Sequence, residues 1–355
     1  MKKTISKFAV ITLIVLLIAS LFVGCGDNQQ PEIESSGTES QGEQENAGTK
    51  EKEVQKIALL LPGPINDASW NAAAYEGLMR LQKKGYEVTY TENVPVPNIE
   101  ETFRNYAEQG YDLIIGHGFE FGDPALRVAA QFPDTWFFVS GKAPENVKLL
   151  PNVGFVDQRE YEGAYLCGIL AGMMTKTNKV GYIVALEIPS QLADMAAYKK
   201  AVESVNPQAE VMTVVLGTSE DPAKGKEAAS AQIDNGADVI MHTANSSGIG
   251  VIEACKARNV YAIGYGGDQN ELAPDLILTS MYSDMARVIE MQVDKIKDGT
   301  FSGIWKAGVA DGVVNIAPYH SLENVIPGEA KQKVEEVKQQ IIDGTFVVPE
   351  IYERI

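Results

Sequence analysis

Between residues 56 and 283, short runs rich in Val, Ile, Leu and aromatic side chains alternate with stretches whose apolar positions recur at helical spacing. The runs at 57–61, 87–92, 113–117, 136–139 and 153–157 read as one series of strands, and those at 180–185, 211–216, 239–243, 261–265 and 276–281 as a second. Short, nearly continuous apolar strands separated by helices are what a parallel sheet covered on both faces requires. Two such series predict an α/β protein with two doubly wound parallel-sheet lobes. In open α/β sheets the binding crevice lies off the carboxyl ends of the strands, so two facing lobes set those ends around one cleft. The loops that follow the strands are therefore where ligand chemistry is expected.

The first 54 residues obey a different pattern. Lys2, Lys3 and Lys7 precede an apolar run over 8–23 that stops at Gly24 and Cys25. About 16 apolar residues are too few for an ordinary membrane span, and a basic start, a short apolar stretch and a small residue at the cut make an export signal. Leu21, Phe22, Val23, Gly24 and Cys25 resemble a bacterial lipobox, with Phe22 where Leu is usual. Residues 1–24 are then the leader, and Cys25 is the lipidation site that ties the chain to the outer face of the cell membrane. A signal-anchor helix, or a plain secretory signal with a chance Cys, is the other reading. Residues 25–54 are dominated by Gln, Glu, Ser, Gly and Asn, bury too little surface to offset ordering entropy, and read as a tether. What remains is long enough for two domains. Their expected bounds are 55–157 with about 284–308 for lobe 1, and 158–283 with about 309–355 for lobe 2.

The formal charge of −18 becomes about −21 once a leader with three lysines and no acid is removed. A surface this acidic repels phosphate backbones, and no basic stripe with interleaved aromatics offsets it, which argues against nucleic-acid binding. Cys167 and Cys255 stand in apolar or helix-like surroundings without a CxxC or Cys/His spacing, and His117, His242 and His320 are widely scattered, so neither a metal site nor a cofactor is expected.

The loop after the first strand reads Pro62 to Asn71 and leads into an Ala-rich helix through Tyr75, Glu76, Gly77 and Leu78. Asn66-Asp67-Ala68-Ser69-Trp70-Asn71 with Tyr75-Glu76-Gly77, then Gly116-His117-Gly118-Phe119, Phe132-Pro133-Asp134, the stretch 264–269, Ala273-Pro274 and Leu278-Thr279-Ser280 follow in one register. Over about 56–318 this series resembles the basic membrane lipoprotein family, the purine-nucleoside-receptor-like substrate-binding components of ABC transporters. The resemblance implies a type I periplasmic-binding-protein fold, with lobes joined by a three-stranded hinge, that closes on a purine-type ligand and delivers it to a membrane permease. The hinge crossings are expected near 157–160, 281–283 and 304–312.

A purine is flat and uncharged, and an aromatic face holds it best. The resemblance puts an aromatic, usually Phe, against the base where this chain has Trp70; the alternative is that Trp70 joins the core stripe of Ala74, Gly77 and Leu81. Asp67 and Asn71 offer an acceptor and an amide near the same face, although Asp67 is also placed to cap the helix. Phe119 and Glu120 either wall the cleft and accept from the ligand, or pack under their loop and face water. His117 reads as a structural histidine. Asn245 and Ser246 either touch ligand or make a local turn, Tyr265 projects from its strand end, and Asp268 either fixes its Gly-rich loop or meets ligand.

Three departures from the nucleoside pattern matter. Ribose-holding members typically carry an Asp where Gly266 stands and a Lys where Ser283 stands, and the second aromatic of their sandwich falls near Asp194. Without those charged partners a sugar loses about 1.5–3 kcal/mol per missing bond, so a nucleobase is favoured over a nucleoside. The rival readings are a binding lipoprotein for a sugar or other small solute, a sensory receptor, and an enzyme. For the last, the sequence carries no nucleophile elbow, Walker loop or HExxH, and no catalytic residue is assigned.

Overall fold

A computed structural model describes residues 53–144 and 146–354. The export signal, Cys25 and all but the last two residues of the expected tether lie outside the described residues. Val54, placed by composition at the end of that tether, is fully buried, so packing of the main body already includes it.

The chain first lays down β1 (Lys56–Leu60), α1 (Trp70–Lys83), β2 (Glu87–Thr91), α2 (Ile99–Glu108), β3 (Leu113–His117), α3 (Gly122–Ala129), β4 (Trp136–Ser140) and β5 (Val153–Gln158). It continues through α4 (Glu160–Met174), β6 (Lys179–Val184), α5 (Pro189–Val205), β7 (Glu210–Val215), α6 (Pro222–Asp234), β8 (Val239–Thr243), α7 (Asn245–Arg258), β9 (Tyr261–Tyr265) and β10 (Ile277–Ser283). It then returns as α8 (Met285–Lys297) and β11 (Gly303–Ala307) and ends with β12 (Val314–Ile316) and α9 (Gly328–Ile342).

Two six-stranded sheets result, ordered β11-β5-β4-β3-β1-β2 and β12-β10-β9-β8-β6-β7. Every pairing is parallel except β10 with β12. The central strands β3 and β8 are buried at every position, as helices on both faces demand. In α2 the buried Ile99, Phe103 and Ala107 recur every four residues, a stripe that turns inward while Glu100 and Glu101 complement the helix N-terminus. Helix α4 is buried almost throughout, because it packs against α5, α9 and β10. Leu59, Leu166, Ile263 and Val288, drawn from both halves, belong to one contiguous apolar cluster. Cys167 and Cys255 are buried in apolar clusters, free of disulfide bonds.

Two strands differ from the sequence reading. Residues 303–307, taken there mostly as linker, pair in register with β5 from Gly303↔Gly154 to Ala307↔Gln158, and residues 314–316 form a second edge. Both segments are short, and Gly303–Ala307 alternates partly buried with exposed positions, so neither shows a clear apolar run.

The chain passes between the sheets three times: from β5 into α4, from β10 into α8, and from β11 to β12. Two acids in the first turn of α4 tie these passages together. Glu160 accepts from Ser283 Oγ at 3.0 Å, at the second passage. Glu162 accepts from the Val309 amide at 2.8 Å, at the third.

Candidate functional site

The carboxyl ends of the two sheets face each other, and between them lies a cavity of about 410 Å³ continuous with a smaller one of about 200 Å³; Trp70, Phe119, Glu160, Ile188 and Ser190 line both. A cleft of this size admits a base or a nucleoside.

Trp70 stands at the start of α1, where the loop after β1 delivers it to the cleft wall. The stripe of Ala74, Gly77 and Leu81 is buried, whereas Trp70 is partly exposed and lines both cavities. His117, at the end of β3, lies against the indole with ring centroids 3.7 Å apart and planes tilted by 30°. Its Nε2–H donates to the Trp70 carbonyl at 3.1 Å, so the histidine fixes the tryptophan in backbone and ring together. Burial pushes the His117 imidazole down to about 3, which keeps it neutral. The histidine is buried and lines neither cavity.

Asp67 spends its carboxylate on the helix start. Oδ1 accepts from the amides of Ser69 and Ala72, both at 3.0 Å, and Oδ2 from the Asn71 amide at 3.0 Å and the Asn71 side-chain amide at 2.8 Å. It is buried, lines neither cavity, and serves as the cap that holds Trp70 and Asn71 in place. Asn71 lines the smaller cavity, with Oδ1 accepting from the Gly63 amide at 3.3 Å.

Phe119 is 56% exposed and lines both cavities. It does not tuck under its loop. Glu120 lines the smaller cavity, and burial raises its carboxyl above the ordinary value. From the other sheet come Asn245, held at φ +44° at the start of α7, and Tyr265, whose hydroxyl donates to Glu160 at 3.0 Å. Ser246 turns aside and donates to Glu220 at 3.0 Å. Asp268 is not brought to the cleft: it accepts from the Asn270 amide at 3.2 Å and meets His320 Nε2 at 2.7 Å, which fixes the Gly-rich loop on the other side of α1.

The lobes already touch across the cleft floor. Ser69 Oγ donates to the Tyr265 carbonyl at 3.1 Å with Asn245 Oδ1 3.5 Å away, and Gln269 Nε2 donates to the Ala68 carbonyl at 2.9 Å. Gln269 is positioned in turn by His242 Nε2–H, which donates to its Oε1 at 3.1 Å; burial holds His242 down at about 4. Gly266, at φ +85°, is where this contact is tightest: a Cβ there would lie 2.3 Å from Ser69 Oγ and 2.8 Å from Ser69 Cα and C.

Sequence reasoning missed two acids that line the larger cavity. Asp194, on α5, is 1% exposed, and its Oδ2 has no hydrogen-bond partner among the described residues. Glu160 falls by sequence in the expected hinge crossing near 157–160. Burial raises both carboxyls, Asp194 well above its ordinary range, and the Glu160 charge pushes Asp194 further up. A lone acid inside the apolar stretch Leu192-Ala193-Asp194-Met195-Ala196 was the available signal.

Residues 54–352 match the family model described as ABC transporter substrate-binding protein, PnrA-like. The ABC transporter nucleoside-binding protein BmpA of Lactococcus lactis is 28% identical, with 96% of this chain and 97% of that protein aligned. A purine-binding protein of Brucella abortus is 28% identical over 82% of this chain and 82% of its own. Among solved structures, a solute-binding protein of an ABC transporter system from Conexibacter woesei aligns with a TM-score of 0.74 at 27% identity, covering 84% of this chain and 100% of that one.

Proposed function

Since the chain belongs to the family of PnrA-like substrate-binding proteins of ABC transporters, we propose that it captures a purine-type ligand between its lobes, the free base in preference to the nucleoside, and delivers it to an ABC permease. The family binds its substrate and does not transform it, so this chain is not an enzyme and the ligand leaves as it arrived.

One observation carries the reading: an indole braced on one side by His117 is presented to a cleft of ligand size. A base stacked on such a face gains about 1–3 kcal/mol. Phe119 supplies a second apolar wall, while Asn71, Glu120, Asn245 and Tyr265 supply polar groups that orient the guest. Ligand contacts from both lobes favour the closed arrangement, because only there are all of them made.

Preference for the base over the nucleoside follows from what fills the ribose positions of the nucleoside-binding pattern. Where that pattern has an Asp, Gly266 leaves its space to Ser69, and where it has a Lys, Ser283 donates to Glu160. A nucleoside then lacks those two charged partners for its sugar hydroxyls. Lipid on Cys25 would hold the receptor at the outer face of the membrane, beside the permease.

A thermal-shift panel of bases, nucleosides and sugars on the purified mature chain tests this, because a ligand specific to the native state raises the melting temperature. Purine bases should give the largest shifts and their nucleosides smaller ones. Stabilisation by sugars alone would overturn the purine reading, and larger shifts with nucleosides would overturn the preference.

A further inference from the structure

Asp194 and Glu160 sit in the cleft wall, and no cation among the described residues pairs with either. Glu160 Oε1 accepts from Ser283 Oγ and its Oε2 from the Tyr265 hydroxyl, each at 3.0 Å, which fixes the carboxyl without neutralising it. The neighbouring guanidinium of Arg159 is engaged by Glu162 at 3.4 Å. Asp194 is buried with Oδ2 unmatched among the described residues. Buried acceptors left unpaired are destabilising, and proteins satisfy them unless the partner arrives from outside.

The chemistry of that partner can be read from the wall. A carboxylate presents two oxygens side by side and is matched by two parallel N–H groups, as in a guanidinium fork, and two such donors from a ligand favour the ionised form that burial alone disfavours. The larger cavity adds Asp123, Asp157 and Glu350 to the pair, against one cation, Lys142, which lies 4.2 Å from the centre of the Tyr352 ring. An acid-rich cleft of low dielectric disfavours a phosphate.

Resting on the reading of a flat purine-type guest, we propose that this cleft selects bases with two adjacent N–H donors, an amino group beside a ring N–H, which Asp194 receives with Glu160 beside it, and that it rejects phosphorylated forms. Trp70 holds the plane of the base; the carboxyl pair decides which edge is accepted. The enzymes that supply this receptor must then remove phosphate before capture.

Titration calorimetry on the mature chain tests this with pairs that differ only in the amino group: guanine against hypoxanthine, and guanosine against inosine, with guanosine monophosphate as the charged arm. The amino-bearing member should bind about 10- to 100-fold more tightly, since its absence leaves a buried acceptor unpaired. Asp194→Asn, which turns one acceptor into a donor, should bring that ratio close to one, with thermal melts checking that the variant folds. The monophosphate should not bind. Equal affinity within each pair for the unmodified chain, an unchanged ratio in a folded Asp194→Asn variant, or tight binding of the monophosphate would each overturn the proposal while leaving the purine reading intact. Failure of every purine to bind would sink the underlying reading instead.

Discussion

Gly266→Ala separates two consequences of one methyl group. The first is backbone strain: at φ +85° a residue with a Cβ is disfavoured by about 1–2 kcal/mol, whether the lobes are open or closed. That part lowers the melting temperature without altering affinity. The second exists only when the lobes meet. The new Cβ would lie 2.8 Å from Ser69 Cα and C, backbone atoms that no side-chain rotation removes, so the 62–71 loop must draw back. Drawing back breaks Ser69 Oγ to the Tyr265 carbonyl and Gln269 Nε2 to the Ala68 carbonyl. At about 0.5–1.5 kcal/mol each, the closed form loses about 1–3 kcal/mol relative to the open one, and ligand affinity falls about 5- to 150-fold. Calorimetric titration with the best ligand of the thermal-shift panel measures the affinity, and labels on the two lobes report closure. Gly267→Ala is the matched control, because nothing lies within 4 Å of a Cβ there. Binding of Gly266→Ala within about twofold of the unmodified chain would show that the interlobe contact has no part in closure.

Two further outcomes follow. Trp70→Ala should weaken binding by about 1–3 kcal/mol, and unchanged affinity would reject the stack. The ligand-free protein should show opposing pH dependences. The raised carboxyls of Glu160 and Asp194 make the native state bind more protons than the unfolded chain, so their stabilisation is complete below the ordinary carboxylate range and is lost as pH rises through the folded values. His117 and His242, held at about 3 and about 4 against an ordinary 6.5, bind fewer protons in the native state, so their contribution falls as pH drops below 6.5. In melts scanned from about pH 5 to about pH 8, Asp194→Asn should lessen the loss on the alkaline side; a steeper loss would contradict this sign.

Most of the framework was legible because ten strands are short runs rich in Val, Ile, Leu or aromatic side chains, separated by helix-forming stretches. The two strands that were not legible, β11 and β12, are edge segments whose partners lie far away in sequence: Trp305, 305 residues into the chain, pairs with Val156. At the site, Trp70, Phe119, Glu120, Asn245 and Tyr265 were accessible to sequence reasoning, since a strand end followed by an odd residue marks the rim of an α/β cleft. Asp67 reads from the sequence as contact, as cap or as both, and its four hydrogen bonds show the capping part. Asp194 and Glu160 escaped because they sit on helices, where neither spacing nor turn chemistry indicates which way a single acid points.

The position of β11 in the first sheet bears on how such a chain is made. The edge of β5 stays open until residues 303–307 arrive, and almost the whole second sheet is synthesised in between. A nascent chain therefore leaves the ribosome with its first half unable to complete its hydrogen-bond ladder, and non-local parallel pairing of this kind is slow. That open edge makes any fragment ending before residue 303 a source of unpaired strand edges prone to association.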